Sequence, residues 1–259
     1  EALGLLFNAF ARQPEREEIA VNLSETLIML ARQDADKALK IAENWCKQAP
    51  RNVFAKHTAA ALKGENIENN QIYSEKLFDN FADNYELVVK NLGYAAPLAV
   101  RRIAGDVEGT VADLGCGTGL VAEALKTPQN QFIGVDVSQK MLDAAAAKGL
   151  YNELVKADAV DFLQERRDFD WAVLADVCGY IGDLSCLIKL LQNKKIVLSI
   201  EVLDENSDYQ LMTNGRYKHN PLYVEKLLRE NGFEDITKEE LILRTENGEP
   251  VKGMIFKGE

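Results

Sequence analysis

A loop with glycine at every second position is the most distinctive chemical feature of this 259-residue sequence. It lies within VADLGCGTGL, residues 111–120, where Gly115, Gly117 and Gly119 follow an apolar, strand-like run. Glycine lets a ligand approach the backbone closely, and the helix that must follow presents free amide hydrogens at its N-terminus. The segment therefore predicts that a nucleotide-type cofactor binds at the end of a strand.

Residues around this loop distinguish between cofactors. The dinucleotide fingerprint GxGxxG places a small residue at position 120, where this sequence has Leu120. Asp113, at the strand end, suits the ammonium group of a methionine moiety and repels a pyrophosphate. Cys116 needs to contribute only its backbone. These features favour S-adenosylmethionine over NAD.

Residues after two later strands extend the predicted cofactor site. Asp136 ends a second strand, where a carboxylate can accept hydrogen bonds from both ribose hydroxyls, and Val137 follows it. Met141 is predicted to cover the adenine face, with core packing as the alternative. Asp158 and the backbone of Ala159 are predicted to bind the adenine ring, and a simple turn aspartate is the alternative for Asp158.

The acceptor side of the site is predicted from the fourth strand and from a segment after the fifth. Asp176 and Val177, which are predicted to bind the cofactor, follow the fourth strand, where the sulfonium methyl group should meet the acceptor. His219, in NGRYKHN, is the predicted general base because histidine takes up a proton near neutral pH. Arg216 is predicted to clamp a carboxylate or phosphate, and Tyr180 to line the pocket. The alternative for Arg216 and His219 is a solvated loop.

Alternating strand-like and helical runs must position these residues. The predicted strands are residues 110–114, 131–135, 153–156, 171–175, 195–200, 234–245 and 251–257. Strands that alternate with helices imply a parallel sheet, whereas the short ENGEP turn between the last two implies an antiparallel hairpin. The expected fold is α/β: a Rossmann-like, doubly wound, seven-stranded sheet of the methyltransferase type.

An all-α domain is predicted ahead of this sheet, over residues 1–66, because apolar residues recur there every three or four positions. Ala38, Ala42 and Trp45 precede Pro50 in a pattern similar to the second helix of a tetratricopeptide repeat (TPR). A plain helical cap and a peptide-binding repeat both remain open. Residues 67–93 are predicted to be a linker and lid helix, and residues 94–259 the sheet-bearing domain.

Composition restricts the partners. A net charge of -11 repels phosphate backbones and anionic lipid, and no apolar run reaches the roughly 18 residues of a membrane helix. The four cysteines lack CxxC spacing, so no metal site is predicted. A small-molecule substrate, no nucleic acid, no membrane and a cytoplasmic location are therefore expected, with a protein partner for the helical domain left open.

Several segments together resemble a known family: LFDNFADNYELVVKNLGYAAP, VADLGCGTGL, VDVSQKML, ADVCGYIGDL, NGRYKHNPLYV and LRTENGEPVKGMIF. They are similar to bacterial class I methyltransferases that carry a TPR, and to the Williams-Beuren-region group of methyltransferases. The resemblance implies S-adenosylmethionine binding, with a lid over the cofactor that includes Tyr85 and Tyr94, whose hydroxyls are expected to reach the methionine carboxylate. Phe78 and Phe81 are expected to pack against the sheet.

The sequence as a whole predicts methyl transfer from S-adenosylmethionine to a small-molecule O, N or S acceptor, with an anionic acceptor suggested by Arg216. The (D/N)PPY sequence of amino-group methyltransferases is missing after the fourth strand, which argues against nucleic acid and glutamine amides as acceptors. The alternatives are a protein methyltransferase that recruits its target through the helical domain and a non-catalytic regulator that binds S-adenosylmethionine.

Overall fold

The computed structural model describes residues 2–67 and 70–259. Seven helices precede the first strand: α1 Ala2–Arg12, α2 Glu17–Ala31, α3 Ala35–Gln48, α4 Val53–Lys63, α5 Gln71–Phe81, α6 Tyr85–Asn91 and α7 Ala96–Ala104. The remaining helices are α8 Leu120–Leu125, α9 Gln139–Lys148, α10 Ala159–Glu165, α11 Ser185–Leu190 and α12 Pro221–Glu230. The strands are β1 Gly109–Leu114, β2 Asn130–Asp136, β3 Glu153–Lys156, β4 Trp171–Leu174, β5 Lys195–Glu201, β6 Tyr209–Leu211, β7 Tyr217–His219, β8 Ile236–Glu246 and β9 Glu249–Gly258.

The main sheet has seven strands in the order β3-β2-β1-β4-β5-β9-β8. Strands β1 to β5 pair in parallel, and β9 runs antiparallel to both β5 and β8. The strand order reverses between β1 and β4, so the carboxyl ends of these two strands flank the crevice where α/β sheets bind ligands. This architecture confirms the predicted Rossmann-like methyltransferase sheet.

All seven predicted strands are present, with ends shifted by at most two residues. The closing hairpin turns at Asn247 and Gly248, which both have positive φ (52° and 83°), as a tight two-residue turn requires. The short antiparallel pair of β6 and β7 was not predicted, because each strand has only three residues. The segment that carries Arg216 and His219 is therefore a hairpin, not a solvated loop.

Apolar side chains alternate between the two faces of the sheet. In β4, Ala172 and Leu174 pack in one core, whereas Trp171 and Val173 pack in the other. This period of two, with both faces covered by helices, is what a buried parallel sheet requires. Both faces thus hold the strand ends rigidly beneath the ligand crevice.

The N-terminal helices form their own apolar core. Ala38 and Ala42 are fully buried in α3, which ends two residues before Pro50, and Trp45 packs edge-on against Phe10 with ring centroids 5.7 Å apart. The predicted small-residue helix is confirmed, while its TPR character and the domain boundaries stay predictions. No helix within residues 2–67 and 70–259 is long and apolar enough to cross a membrane.

The end of the predicted helical domain is packed against the β6–β7 hairpin. Gly64 ends α4 with a left-handed φ of 69°, and the Asn66 side chain accepts a hydrogen bond of 3.2 Å from the Leu211 amide in β6. Residues 68 and 69 lie outside the described residues. The described residues that follow α4 therefore contact the β6–β7 hairpin.

Candidate functional site

A cavity of about 800 Å³ opens at the carboxyl ends of the parallel strands. Its walls come from the loops after β1, β2, β3 and β4, from helices α5 and α6, and from β7 and the end of β8. Ligand sites commonly have volumes of about 300–1,000 Å³, so the cavity has room for a nucleotide-sized ligand and a second molecule.

The glycine loop needs left-handed backbone at each of its three glycines. Gly115, Gly117 and Gly119 have φ of 71°, 53° and 90°, a region that residues with a Cβ rarely adopt. A Cβ on Gly115 would lie 2.5 Å from Val177 Cγ2, so the loops after β1 and β4 pack without space for a side chain. A Cβ on Gly117 would lie 3.8 Å from the Tyr85 ring, which covers this part of the loop. Gly115 and Gly117 line the cavity.

Asp136, at the end of β2, joins this loop to the next one. Its carboxylate accepts hydrogen bonds of 2.9 Å from the amides of Gly117 and Ser138, and it lines the cavity. Burial raises the pKa of Asp136, and the two amides oppose that rise. Each carboxylate oxygen has a further lone pair, so the side chain can also accept hydrogen bonds from a ligand.

The loop after β3 adds a second acidic side chain. Asp158 caps α10 by accepting a hydrogen bond of 2.7 Å from the Val160 amide, and it lines the cavity with Ala159 and Val137. Ala159 is the first residue of α10, so its amide has no acceptor within the helix. This wall combines an apolar surface with a free backbone donor.

Asp113 and Met141 do not line the cavity. The Asp113 side chain points to the sheet face that carries Val111, where the Tyr151 hydroxyl donates a hydrogen bond of 2.6 Å to it. Burial raises the Asp113 pKa to about 7. The predicted contact between Asp113 and a ligand ammonium is therefore wrong, and fully buried Met141 takes its core-packing alternative.

Aromatic side chains from α5 and its neighbours form one wall of the cavity. Phe78 on α5 packs edge-on against Tyr180, with ring centroids 5.0 Å apart, and against Tyr85 at 6.5 Å. The Tyr94 hydroxyl donates a hydrogen bond of 3.4 Å to the Ala175 carbonyl at the end of β4. Phe78 and Phe81 both line the cavity, so the preference for packing against the sheet was wrong.

A buried network of charged groups lies at the ends of β4, β5 and β8. Asp176 accepts hydrogen bonds from Arg216 Nη2 at 2.5 Å and from Arg244 Nη1 at 3.2 Å. Both arginines also bind Glu201, and Arg244 Nε donates to Glu246 at 2.7 Å. Although burial acts in the opposite direction, the two arginines hold the Glu201 pKa at about 2.

This network changes the interpretation of Arg216. Its guanidinium group lines the cavity and lies 4.5 Å from the centre of the Tyr180 ring, but two carboxylates already share its charge. The predicted role as a free clamp for an anion is therefore wrong. Glu201, Arg244 and Glu246 were not among the predicted site residues, although the acid at the end of the apolar run KIVLSIE marks a strand end as Asp136 does.

His219 does not reach the cavity. Its side chain is fully buried, and Nε2 lies 2.9 Å and 3.0 Å from the carbonyl oxygens of Gly182 and Ile181. Burial lowers the His219 pKa to about 4, although both carbonyls act against this. The predicted general base is therefore wrong, because the ring binds backbone carbonyls and does not line the cavity where a methyl acceptor would lie.

The predicted site residues fall into two groups, those that line the cavity and those that do not. The cavity is lined by Tyr85, Tyr94, Gly115, Gly117, Asp136, Val137, Asp158, Ala159, Asp176, Val177, Tyr180 and Arg216. Five predicted residues lie outside its walls: Asp113, Cys116, Gly119, Met141 and His219. Cys116 is buried with its side chain away from the cavity, as expected for a residue that contributes only backbone, and Gly119 precedes the first residue of α8.

Residues 111–198 match the family described as "Methyltransferase domain". The matched segment contains the glycine loop, Asp136, Asp158 and Asp176, so it covers the part of the cavity wall at the carboxyl ends of β1 to β4. This match marks residues 111–198 as a methyltransferase domain, and the strand order of the sheet that contains them is that of the class I S-adenosylmethionine-dependent methyltransferases.

Two relatives that are named as methyltransferases match part of the chain. The chain is 42% identical over 84 residues to human Methyltransferase-like protein 27, which covers 30% of this chain and 34% of the relative. It is 30% identical over 108 residues to the ubiquinone biosynthesis O-methyltransferase of Bradyrhizobium diazoefficiens, which covers 38% and 43%. The matches thus span less than half the length of either relative.

Among solved structures, the fold is similar to that of the Haemonchus contortus phosphoethanolamine N-methyltransferase 2, in complex with phosphomonomethylethanolamine and S-adenosylhomocysteine. The TM-score is 0.57 at 16% sequence identity, over 75% of this chain and 60% of the other. At this identity the likeness concerns the fold alone. The finer family assignment stays a prediction.

Proposed function

We propose that the protein transfers a methyl group from S-adenosylmethionine to an O, N or S atom of a small molecule. The observation that carries the proposal is the pairing of Asp136 with the left-handed Gly117, both on the wall of one cavity of about 800 Å³. The methyltransferase domain that spans residues 111–198 supports it.

The residues on the cofactor side fit S-adenosylmethionine. The free lone pairs of Asp136 suit the two ribose hydroxyls, and the free amide of Ala159 suits an acceptor nitrogen of adenine. Val137 adds an apolar surface for the ring. The exposed backbone at Gly115 and Gly117, beneath Tyr85, leaves space for the methionine part.

When bound, the cofactor supplies a methyl group on a sulfonium whose leaving group is a neutral thioether. The protein then has to position the acceptor and exclude water, and both contribute to the rate. Phe78, Tyr85 and Tyr180 provide an aromatic wall for this purpose. With Arg216 and Arg244 both ion-paired, the geometry favours an acceptor held by aromatic surface over an anion held by arginine.

Calorimetry tests the cofactor half of the proposal. We expect S-adenosylmethionine and S-adenosylhomocysteine to bind and NAD not to bind. Asp136→Ala removes hydrogen bonds to a charged acceptor, each worth about 1.5–3 kcal/mol, so affinity should fall by about tenfold or more. Asp143→Ala, an exposed aspartate on the next helix, is the matched control and should bind normally.

Transfer of labelled methyl groups tests the catalytic half. Wild-type protein and labelled cofactor are incubated with a fractionated cell extract, and we expect the label in the small-molecule fraction. Label in the protein fraction would support the target-recruiting alternative instead. Tight binding with no labelled product from any fraction would support the non-catalytic regulator.

A further inference from the structure

His57, on α4 of the N-terminal helical region, contacts two elements that line the cavity. Its ring stacks on the Tyr73 ring of α5, with centroids 3.6 Å apart and planes 15° apart. Its Nε2 lies 2.8 Å from the Gly215 carbonyl oxygen, in the turn between β6 and β7. Nδ1 lies 3.1 Å from Asn70 Oδ1. The side chain is 2% exposed, so it acts inside the protein rather than on a solvent-facing ligand.

The stack on Tyr73 fixes the lid helix at its N-terminal half. Tyr73 is also packed against Phe54 of α4, with ring centroids 5.4 Å apart. One to two turns further along α5, Leu77, Phe78 and Phe81 line the cavity. Because α5 is one continuous helix, holding Tyr73 in place also sets the directions of these three side chains.

The bond to Gly215 fixes the other element. Gly215 has φ of +82°, and a Cβ there would lie 3.2 Å from His57 Nε2 and 3.4 Å from the Tyr73 hydroxyl oxygen. The turn is therefore packed directly on the His57–Tyr73 pair. Glycine is needed because both its backbone conformation and the short approach disfavour a side chain.

Tyr217, which follows Arg216, is held by Ile67 and by α4. The Tyr217 hydroxyl donates to the Ile67 carbonyl at 3.1 Å and accepts from the Ile67 amide at 2.9 Å. Tyr217 also packs with Leu211 against Ala61 of α4. Arg216 thus lies between two residues, Gly215 and Tyr217, that are held in place by hydrogen bonds. Their positions therefore determine how its guanidinium group meets Asp176 and the Tyr180 ring.

The cofactor side has different supports. Asp136 and the glycine loop are held by strands β1 and β2 themselves. The C-terminal half of α5 is bound there separately, because Asp79 Oδ1 accepts a hydrogen bond of 2.5 Å from Ser138 Oγ. Loosening His57 should therefore disturb the acceptor side and leave the cofactor side in place.

We infer that His57 is a positioning residue for the acceptor half of the cavity, which aligns the lid helix with the hairpin that carries Arg216. The N-terminal helical region then helps to position the residues of the acceptor site, and methyl transfer depends on it. The inference rests on the proposed methyl transfer, because it assigns one half of the cavity to the acceptor.

The test compares His57→Phe, which keeps a ring to stack on Tyr73 but loses both ring nitrogens, with His57→Gln, whose amide can still donate toward Gly215. Lys56→Ala, an exposed neighbour on the same helix, is the control. Three quantities are measured in the full chain: affinity for S-adenosylhomocysteine, hydrogen exchange of amides 209–219, and methyl transfer to the extract fraction at saturating S-adenosylmethionine.

For His57→Phe we expect exchange of amides 209–219 to accelerate and transfer to fall, each by about tenfold, because a buried carbonyl loses its donor. Affinity for S-adenosylhomocysteine and the KM for S-adenosylmethionine should change less than about threefold. His57→Gln should restore most of the transfer and of the protection from exchange. Should His57→Phe not fold, Tyr217→Phe, which frees the hairpin from Ile67, should show the same split.

Two results would overturn the inference: equal losses of cofactor affinity and transfer in His57→Phe, or unchanged exchange and transfer. A wild-type protein that binds no S-adenosylhomocysteine or transfers no label would count against the proposed function instead. In that case the exchange of amides 209–219 still decides whether His57 positions the hairpin, since it requires no turnover.

Discussion

Asp176, in the loop after β4, and Arg216, directly before β7, form an ion pair of 2.5 Å in the wall of the cavity. Asp176 has a φ of 63°, a left-handed conformation that costs a non-glycine residue about 1–3 kcal/mol. Arg244 also binds the Asp176 carboxylate, and the Asp176 amide donates a hydrogen bond of 2.8 Å to Ser199 Oγ. The surrounding contacts thus hold a strained residue at the point where the methyl group should meet the acceptor.

Replacement of Arg216 by methionine should therefore be strongly destabilising. Among the residues that the structure describes, it leaves Asp176 and the buried Glu201 to share Arg244 as their cationic partner. Loss of one member of a buried ion pair typically costs about 3–5 kcal/mol. Chemical denaturation measures the change. Arg102→Met breaks an exposed pair with Glu239 and should cost less than about 1 kcal/mol, so equal losses in the two variants would contradict the role assigned to the network.

Alanine substitutions in the glycine loop should separate stability from binding. Gly115→Ala places a Cβ 2.5 Å from Val177 Cγ2 and should mainly lower the melting temperature. Gly117→Ala finds ordinary space below Tyr85, so it should cost only the left-handed strain of about 1–2 kcal/mol. Its methyl group points into the space left for the ligand, and affinity for S-adenosylhomocysteine should fall.

Melting curves and calorimetry on both variants check this division. Val177→Ala should recover part of the stability lost in Gly115→Ala, because it removes the atoms in closest approach. Its effect on Gly117→Ala should be small. Identical profiles for the two glycine variants would show that the loop does not divide in this way.

The residues at the strand ends could be predicted from the sequence, whereas the charged network could not, because it joins residues that are far apart in the chain. The cofactor residues lie at the ends of successive strands, so the hydrophobic pattern alone places Asp136 and Asp158 at one edge of the sheet. Arg244 meets Asp176 only through the register of β9 between β5 and β8, and no local pattern encodes that register. Likewise, the sequence shows a histidine at position 219 but not the carbonyls of Ile181 and Gly182 that enclose it.

His219→Gln should leave the pH dependence of methyl transfer unchanged, because the ring lies outside the cavity. Its effect should appear in stability instead. Since the folded-state pKa is lowered to about 4 from an ordinary value near 6.5, only the unfolded chain takes up a proton between these pH values. The wild type should therefore lose stability as the pH falls from about 6.5 toward 4, and the variant should lose less. Transfer rates and urea denaturation across this range measure both effects, and a shifted activity profile would restore His219 as a base.

Asp113 should give the opposite slope. Its folded-state pKa is raised to about 7 by burial, against an ordinary value near 4, so between these pH values the folded protein holds a proton that the unfolded chain has released. Stability should therefore decrease as the pH rises from about 4 to 7. Asp113→Asn stays neutral at every pH and should remove this contribution, so its free energy of unfolding should fall less steeply over the same range.

Tyr151→Phe removes the hydrogen bond that lowers the Asp113 pKa, and should extend the decline in stability to higher pH. Urea denaturation at several pH values distinguishes the three proteins, and parallel curves for the wild type and Asp113→Asn would mean that this carboxyl group titrates normally.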